Sequence, residues 1–185
     1  TRRPFGTGTD ATVGLLVEDF DGDGHLDIGV ANRIPDLTSI YFGDGTGNYA
    51  GAATASIGSA TDDLRWMSAG DFNGDGVVDI AAVQFRGQDR LYLQSATRTF
   101  TAGLSLGTAM SRSYTVTTTD MDGNGLVDVL VGRREEPNVL YLQAPSGTLS
   151  IEFVFGPGDD STYSLETADM DNDGKLDILV GNSLQ

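Results

Sequence analysis

The chain has 185 residues, 39% of them apolar, with 25 glycines and 5 prolines; this describes a turn-rich globular protein and excludes a disordered tail. No apolar run approaches the ~18 residues of a membrane span, and the lack of cysteine excludes disulfides and thiolate metal sites. With 27 acids against 11 bases and a formal charge of −16, nucleic acid is excluded as a partner, since phosphate binding wants clustered basic residues.

In chain order, the first element is a short strand, "VGLLVEDF", running into the acidic stretch "DFDGDGHLD". An apolar run follows ("LDIGVAN"), then "LTSIYFG", then "AATASIG" after Gly- and Asn-containing turns. The pattern then begins again. "RWMSAGDF" leads into "DFNGDGVVD", followed by "VDIAAVQF", "DRLYLQ" and "AGLSLG". The third round is "YTVTTTDM", "DMDGNGLVD", "VDVLVGR", "NVLYLQ" and "SIEFVFG", and the fourth is "YSLETADM", "DMDNDGKLD" and "LDILVGN". The acidic stretches start at Asp19, Asp71, Asp120 and Asp169, so the period is 52, 49 and 49 residues.

Short strands rich in Val, Ile, Leu and Tyr, separated by turn residues, predict four-stranded antiparallel units. Four strands, A to D, in a period of about 50 residues predict an all-β fold and a β-propeller blade. The expected blades span about 11–58, 62–107 and 112–157, with a partial fourth at 161–185 and the end of a preceding D strand at 1–6. The whole chain is read as one segment, three complete blades plus a partial fourth, of a larger ring. The A strand is expected to be innermost, where small residues (Gly14, Ala69, Thr118, Thr167) suit a crowded centre.

The acidic stretches repeat a chemical pattern. Loop positions 1, 3, 5 and 9 always bear oxygen: Asp19, Asp21, Asp23, Asp27; Asp71, Asn73, Asp75, Asp79; Asp120, Asp122, Asn124, Asp128; Asp169, Asp171, Asp173, Asp177. Position 6 is always glycine, while position 7 varies (His25, Val77, Leu126, Lys175), as expected where only its backbone carbonyl acts. Positions 1, 3 and 5 are expected to converge on one centre that the carboxylate at 9 closes. Hard, all-oxygen ligation of this kind suits Ca²⁺ better than Mg²⁺ or Zn²⁺, so four structural calcium sites are predicted. An EF-hand is excluded, because position 12 is Val30, Ala82, Val131 or Val180 rather than Glu. Ion-free acidic turns are the bland reading of one copy; four copies in register argue against it.

The motif D-x-[DN]-x-[DN]-G-x-x-D before an apolar strand resembles the FG-GAP repeats of integrin α-subunit propellers. "DFDGDGHLDIGVANR" followed by "IYFGDGTGNY" is similar to the VCBS-type FG-GAP repeats of bacterial and other secreted proteins. The resemblance covers essentially the whole chain. It implies calcium in each A–B loop, an extracellular or cell-surface setting and a seven-bladed ring.

The B–C and D–A loops should share the end opposite the calcium loops. Arg33, Arg65, Arg86, Arg112, Arg133 and Arg134 are placed there, and Trp66, Tyr114 and Tyr163 are aligned at the A-strand entrances. Aromatics beside arginine are what a carbohydrate or protein ligand uses, although acids on the same loops could tie these arginines into surface ion pairs. The expected function is a calcium-stabilised extracellular binding or adhesion module without membrane insertion and without catalysis. The alternatives are a structural subunit that oligomerises through open propeller edges, or part of a secreted polysaccharide-degrading enzyme, since some relatives carrying this repeat are polysaccharide lyases.

Overall fold

The computed structural model describes residues 5, 6, 8, 10–50, 52 and 54–183. Among these the chain forms twelve strands and no helix. The first unit is a four-stranded antiparallel sheet of β1 (Thr12–Glu18), β2 (Asp27–Asn32), β3 (Thr38–Tyr41) and β4 (Thr54–Ile57), in that spatial order. These are the expected A, B, C and D strands.

The second unit differs from the expected four separate strands. After β5 (Leu64–Gly70), β6 (Asp79–Ala96) and β7 (Thr99–Thr119) run long and unbroken. Eighteen extended residues would reach roughly 60 Å, yet the Gln94 N–H donates to Asp79 Oδ1 at 2.8 Å, so β6 doubles back on itself. The reversal lies at Arg86, whose φ is 61°, and at Gly87, so β6 carries both the B and the C strand. In β7 the first half pairs with the end of β6 and the second half with β8 (Asp128–Arg133). It bends at Gly107 and Met110, with φ of 65° and 75°, and so serves one unit as D and the next as A. The third unit continues with β9 (Asn138–Gln143) and β10 (Leu149–Phe155), and the fourth is the pair β11 (Ser161–Ala168) and β12 (Asp177–Ser183). The expectation that residues 1–6 end a D strand falls mostly on residues 1–4, outside the described residues; Phe5 packs edge-on against Tyr41 with centroids 5.5 Å apart.

The B strands read as unbroken apolar runs because both faces are covered. Ile80 and Ala82 face the first unit and pack with Phe20, Ile40, Leu64 and Met67. Ala81 and Val83 point the other way, into a cluster with Leu91, Leu106, Val129 and Val131. A smaller cluster of Leu130, Leu140 and Leu165 joins the third unit to the fourth. The sheets therefore stack face to face, and each fully buried aliphatic side chain contributes about 1.5–3 kcal/mol.

Every A strand carries a register shift at one place: between Thr12 and Gly14, Leu64 and Trp66, Ser113 and Thr115, and Thr162 and Ser164. The skipped residues are Val13, Arg65, Tyr114 and Tyr163. A bulge re-aims the side chain it carries, so the repeat presents one re-aimed residue per unit.

Candidate metal centre

Each acidic loop sits between an A and a B strand and is shaped by its own carboxylates. In the first, Asp19 Oδ1 accepts from the Gly22 N–H at 2.9 Å and Asp19 Oδ2 from the Gly24 N–H at 2.8 Å. Asp21 Oδ1 accepts from the Asp23 N–H at 3.1 Å, and Asp23 Oδ1 from the His25 N–H at 2.9 Å. The position 1 to 6 bond recurs at Asp71–Gly76, Asp120–Gly125 and Asp169–Gly174, at 2.8, 2.8 and 2.9 Å. Position 6 is left-handed in every loop, with φ of 81–86° at Gly24, Gly76, Gly125 and Gly174, which only glycine adopts freely. Position 4 is left-handed too, at Gly22, Gly74, Gly123 and Asn172, a requirement visible in the aligned loops as Gly, Gly, Gly and Asn.

The aspartate at position 9 links three strands. Asp27, Asp79 and Asp128 are fully buried. Oδ2 of each accepts from the amide at loop position 2 (Phe20, Phe72, Met121) at 2.8, 3.0 and 2.7 Å. Oδ1 accepts from an amide at the end of the C strand (Gly43, Gln94, Gln143) at 2.7, 2.8 and 2.8 Å. Burial raises these carboxyls above the ordinary carboxylate range, against the pull of the amide bonds, and the acids at positions 1 and 3 or 5 add to the rise.

Carboxylate oxygens of Asp19, Asp21 and Asp27 lie within 4.8 Å of one another, as do those of Asp120, Asp122 and Asp128, and of Asp169, Asp171 and Asp177. Oxygens around one Ca²⁺ at ~2.3–2.6 Å are at most about 5 Å apart, so these sets could hold a metal ion and their all-oxygen chemistry fits calcium. A carboxylate oxygen with one amide bond keeps a lone pair for a cation, as at Asp19 Oδ2 and at both oxygens of Asp27, whereas Asp19 Oδ1 accepts two amide bonds. The second loop has the same bonds but offers Asn73 at position 3. The close sets comprise positions 1, 3 and 9. Position 5 (Asp23, Asp75, Asn124, Asp173) accepts from the amide of position 7 in every loop, and it is not one of the three close carboxylates. His25, Val77, Leu126 and Lys175 supply those amides.

Three groups at this end were not anticipated from the sequence. Gln94 Nε2 donates to the Phe20 carbonyl of the preceding unit at 2.6 Å, and Gln143 Nε2 donates likewise to that of Phe72 at 2.6 Å. The repeated "LYLQ" of 91–94 and 140–143 is the signal for this clamp. Arg98, in the turn after β6, reaches back to the first loop: its Nη2 lies 2.5 Å from Asp21 and 3.8 Å from Asp23, and its guanidinium is 4.6 Å from the Phe42 centroid. Arg98 has no repeat counterpart to flag it.

At the opposite end the structure divides the expected arginines. Arg65 Nη2 bonds Asp63 Oδ2 at 2.6 Å, and Arg33 Nε lies 3.6 Å from Asp63 Oδ1. Arg112 and Arg134 both pair with Glu135. Arg133 turns toward Tyr141, its Nη2 being 3.3 Å from the hydroxyl. Arg86 stacks 5.1 Å from the Phe85 centroid. The alignment of Trp66 with Tyr114 and Tyr163 is corrected: Trp66 is one residue later in its strand and packs on Gly14, where an added Cβ would lie 2.8 Å from the indole. The row at the bulges is Arg65, Tyr114 and Tyr163, in contact from unit to unit, with Arg65 4.9 Å from the Tyr114 centroid and the two tyrosine rings meeting edge to face at 5.0 Å.

The chain matches the FG-GAP-like repeat family three times, over residues 19–82, 71–131 and 120–180. It belongs to that family. Each match runs from one acidic loop to the strand after the next, so the FG-GAP-like repeat spans the inter-sheet packing as well as the loop. No curated protein matches the chain significantly.

Proposed function

We propose that this chain is a calcium-stabilised segment of an extracellular β-propeller, acting as a non-catalytic binding or adhesion module. Ca²⁺ is held at the four A–B loops by positions 1, 3, 5 and 9 and the position 7 carbonyl. The carrying observation is the buried position 9 aspartate, which joins the loop to the B and C strands, so a cation there holds the sheet together. Four divalent ions would bring the formal charge from −16 to about −8 and couple binding to folding. Millimolar calcium outside cells suits the ~10⁻⁴–10⁻³ M affinities of extracellular modules. The ligand, carbohydrate or protein, docks at the opposite end, where Arg65, Tyr114 and Tyr163 form a row with Tyr163 48% exposed.

Thermal melts in 2 mM calcium and in excess chelator test the metal reading. Chelation should lower the midpoint by ten degrees or more, and coincident melts would sink it. A glycan and peptide array probed in calcium tests the ligand end.

A second reading, assembly through the sheet flanks, rests on exposure. Leu15 is 54% exposed although its repeat counterparts Met67, Val116 and Leu165 are buried, and Leu179 and Val180 are exposed where Leu130 and Val131 are buried. A further repeat, from the remainder of a longer chain or from a second copy, would cover both flanks. A mass by analytical ultracentrifugation that rises with concentration would support the second copy.

A further inference from the structure

The first two units enclose a groove of about 680 Å³ at the end opposite the metal loops. Its walls include Arg33, Arg65, Arg86 and Arg90, four of the 11 basic residues of a chain with net charge −16. The acids beside them are already engaged. Asp62 Oδ2 accepts from the Ser59 N–H at 2.8 Å, Asp63 Oδ2 is held by Arg65 at 2.6 Å, and Asp63 Oδ1 faces Arg33 Nε at 3.6 Å, beyond hydrogen-bond distance. Arg86 and Arg90 make no ion pair among the described residues.

The core of the groove is a built polar site. Arg65 is re-aimed by its bulge, is only 9% exposed, and is fixed by Asp63, Phe85 and Tyr114. Its Nε is nevertheless buried without a hydrogen-bond partner, and so is Asp63 Oδ1 beside it. A buried donor and a buried acceptor left without a hydrogen bond each cost about 1–3 kcal/mol, part of which a ligand offering both complements would recover. An acidic peptide offers both, a side-chain carboxylate for the arginines and a backbone N–H for Asp63. A sugar would need an aromatic face, and the Phe85 ring already carries the guanidinium groups of Arg65 and Arg86, each 5.1 Å from its centroid.

Resting on the reading that this end binds the partner, we propose that the groove between the first and second units receives an acidic peptide segment of a protein ligand, with an Asp or Glu carboxylate on Arg65 and Arg86 and a peptide N–H on Asp63 Oδ1. Arg33 and Arg90 supply the surrounding positive potential, and charge-assisted, forked hydrogen bonds give the recognition its selectivity.

The test is fluorescence anisotropy of the calcium-loaded chain with a labelled peptide carrying two Glu, the same peptide with Gln, and a labelled oligouronate. The Glu peptide should bind at least tenfold tighter than the Gln peptide. Arg86→Glu, a change at an exposed side chain, should weaken it tenfold or more with an unchanged melt. Arg65→Lys should weaken it severalfold and also lower the melt, because it gives up the Asp63 pair and the packing on Phe85 and Tyr114. Arg112→Glu, at the same end but outside the groove, should leave binding unchanged. Equal binding of the Glu and Gln peptides overturns the proposal. So does oligouronate binding that Arg86→Glu abolishes while the peptide stays free, although the ligand end then stands. Loss on Arg112→Glu but not Arg86→Glu also keeps the ligand end and removes the groove. Indifference to both variants removes both.

Discussion

The third and fourth acidic loops have nearly the same sequence and the same hydrogen bonds from their backbone amides, yet their closing aspartates live in different surroundings. Asp128 is fully buried and accepts from the Met121 and Gln143 amides. Asp177 accepts from the Met170 amide and is exposed, because no C strand lies beside β12 among the described residues. The loop is thus a local unit, dictated by nine residues, whereas the structural weight of position 9 comes from a strand some 15 residues further on. The same motif should therefore carry different energies in different units.

Alanine substitution is the strongest way to break that contrast. Asp128→Ala strands two amides in a dry site, each costing about 1–3 kcal/mol, so urea unfolding should show a loss of about 3–5 kcal/mol. Asp177→Ala should cost about 1 kcal/mol, because water reaches its amide. Equal losses would mean that the loop, not the C strand, sets the energy.

The titration of Asp89 sharpens the contrast at the opposite end. At the start of the C strands stand Thr38, Asp89 and Asn138, each accepting the last B-strand amide (Asn32, Gln84, Arg133), so the repeat asks for an acceptor but not for a charge. Burial pushes the Asp89 carboxyl up from its ordinary 3.8 to about 6, against the bonds from Ser113, the Gln84 amide and Ser111 and the charge of Arg133. A raised folded value means that the native state holds the proton more tightly. Its stabilising contribution is therefore complete below pH 3.8 and is lost as pH rises through about 6. Asp89→Asn, which installs the side chain found in the third unit, should remove that decline and gain up to about 3 kcal/mol at neutral pH. Denaturant midpoints measured from pH 4 to 7 would decide it; parallel curves would show that Asp89 is not the source.

The clamp between units comes next in size. Gln143→Leu leaves the buried Phe72 carbonyl unpaired at a cost of about 1–3 kcal/mol, and Gln94→Leu should do the same at Phe20. Gly43 holds that place in the first unit and has no side chain to clamp, so a Gly43 substitution tests only local fit. A Gln143→Leu variant as stable as the parent would show that apolar packing alone couples the sheets.

Much of this was legible because it is repeated. The strands, the loops and the position 9 acid recur in register, and the apolar B strands announce two covered faces. The A-strand bulge is invisible in the sequence because no residue type marks it: Val13, Arg65, Tyr114 and Tyr163 share a backbone feature, not a chemistry. That is why the sequence pattern puts Trp66, rather than Arg65, in line with Tyr114 and Tyr163. Arg98 escaped because it occurs once, in a turn 77 residues from the Asp21 it contacts. Recurrence exposes what the fold demands of every unit, and single contacts across units leave no periodic trace.

Position 4 of the loop gives the smallest and most local test. Three loops use glycine there and the fourth uses Asn172, at a φ of 62° beside 72–75° for the glycines. Asparagine tolerates this region better than other non-glycine residues, but its Cβ still carries a cost that glycine avoids. Against this, glycine gives the unfolded chain more freedom. The two effects nearly cancel, so Asn172→Gly should change stability by less than about 0.5 kcal/mol, whereas Gly123→Val in the third loop, a β-branched residue in the same backbone state, should cost 1–2 kcal/mol or more. If both substitutions were silent in urea melts, the left-handed turn would be a consequence of the loop's carboxylate bonds rather than a condition for them. A large effect at Asn172 would mean that its side chain, and not only its backbone, supports the fourth loop.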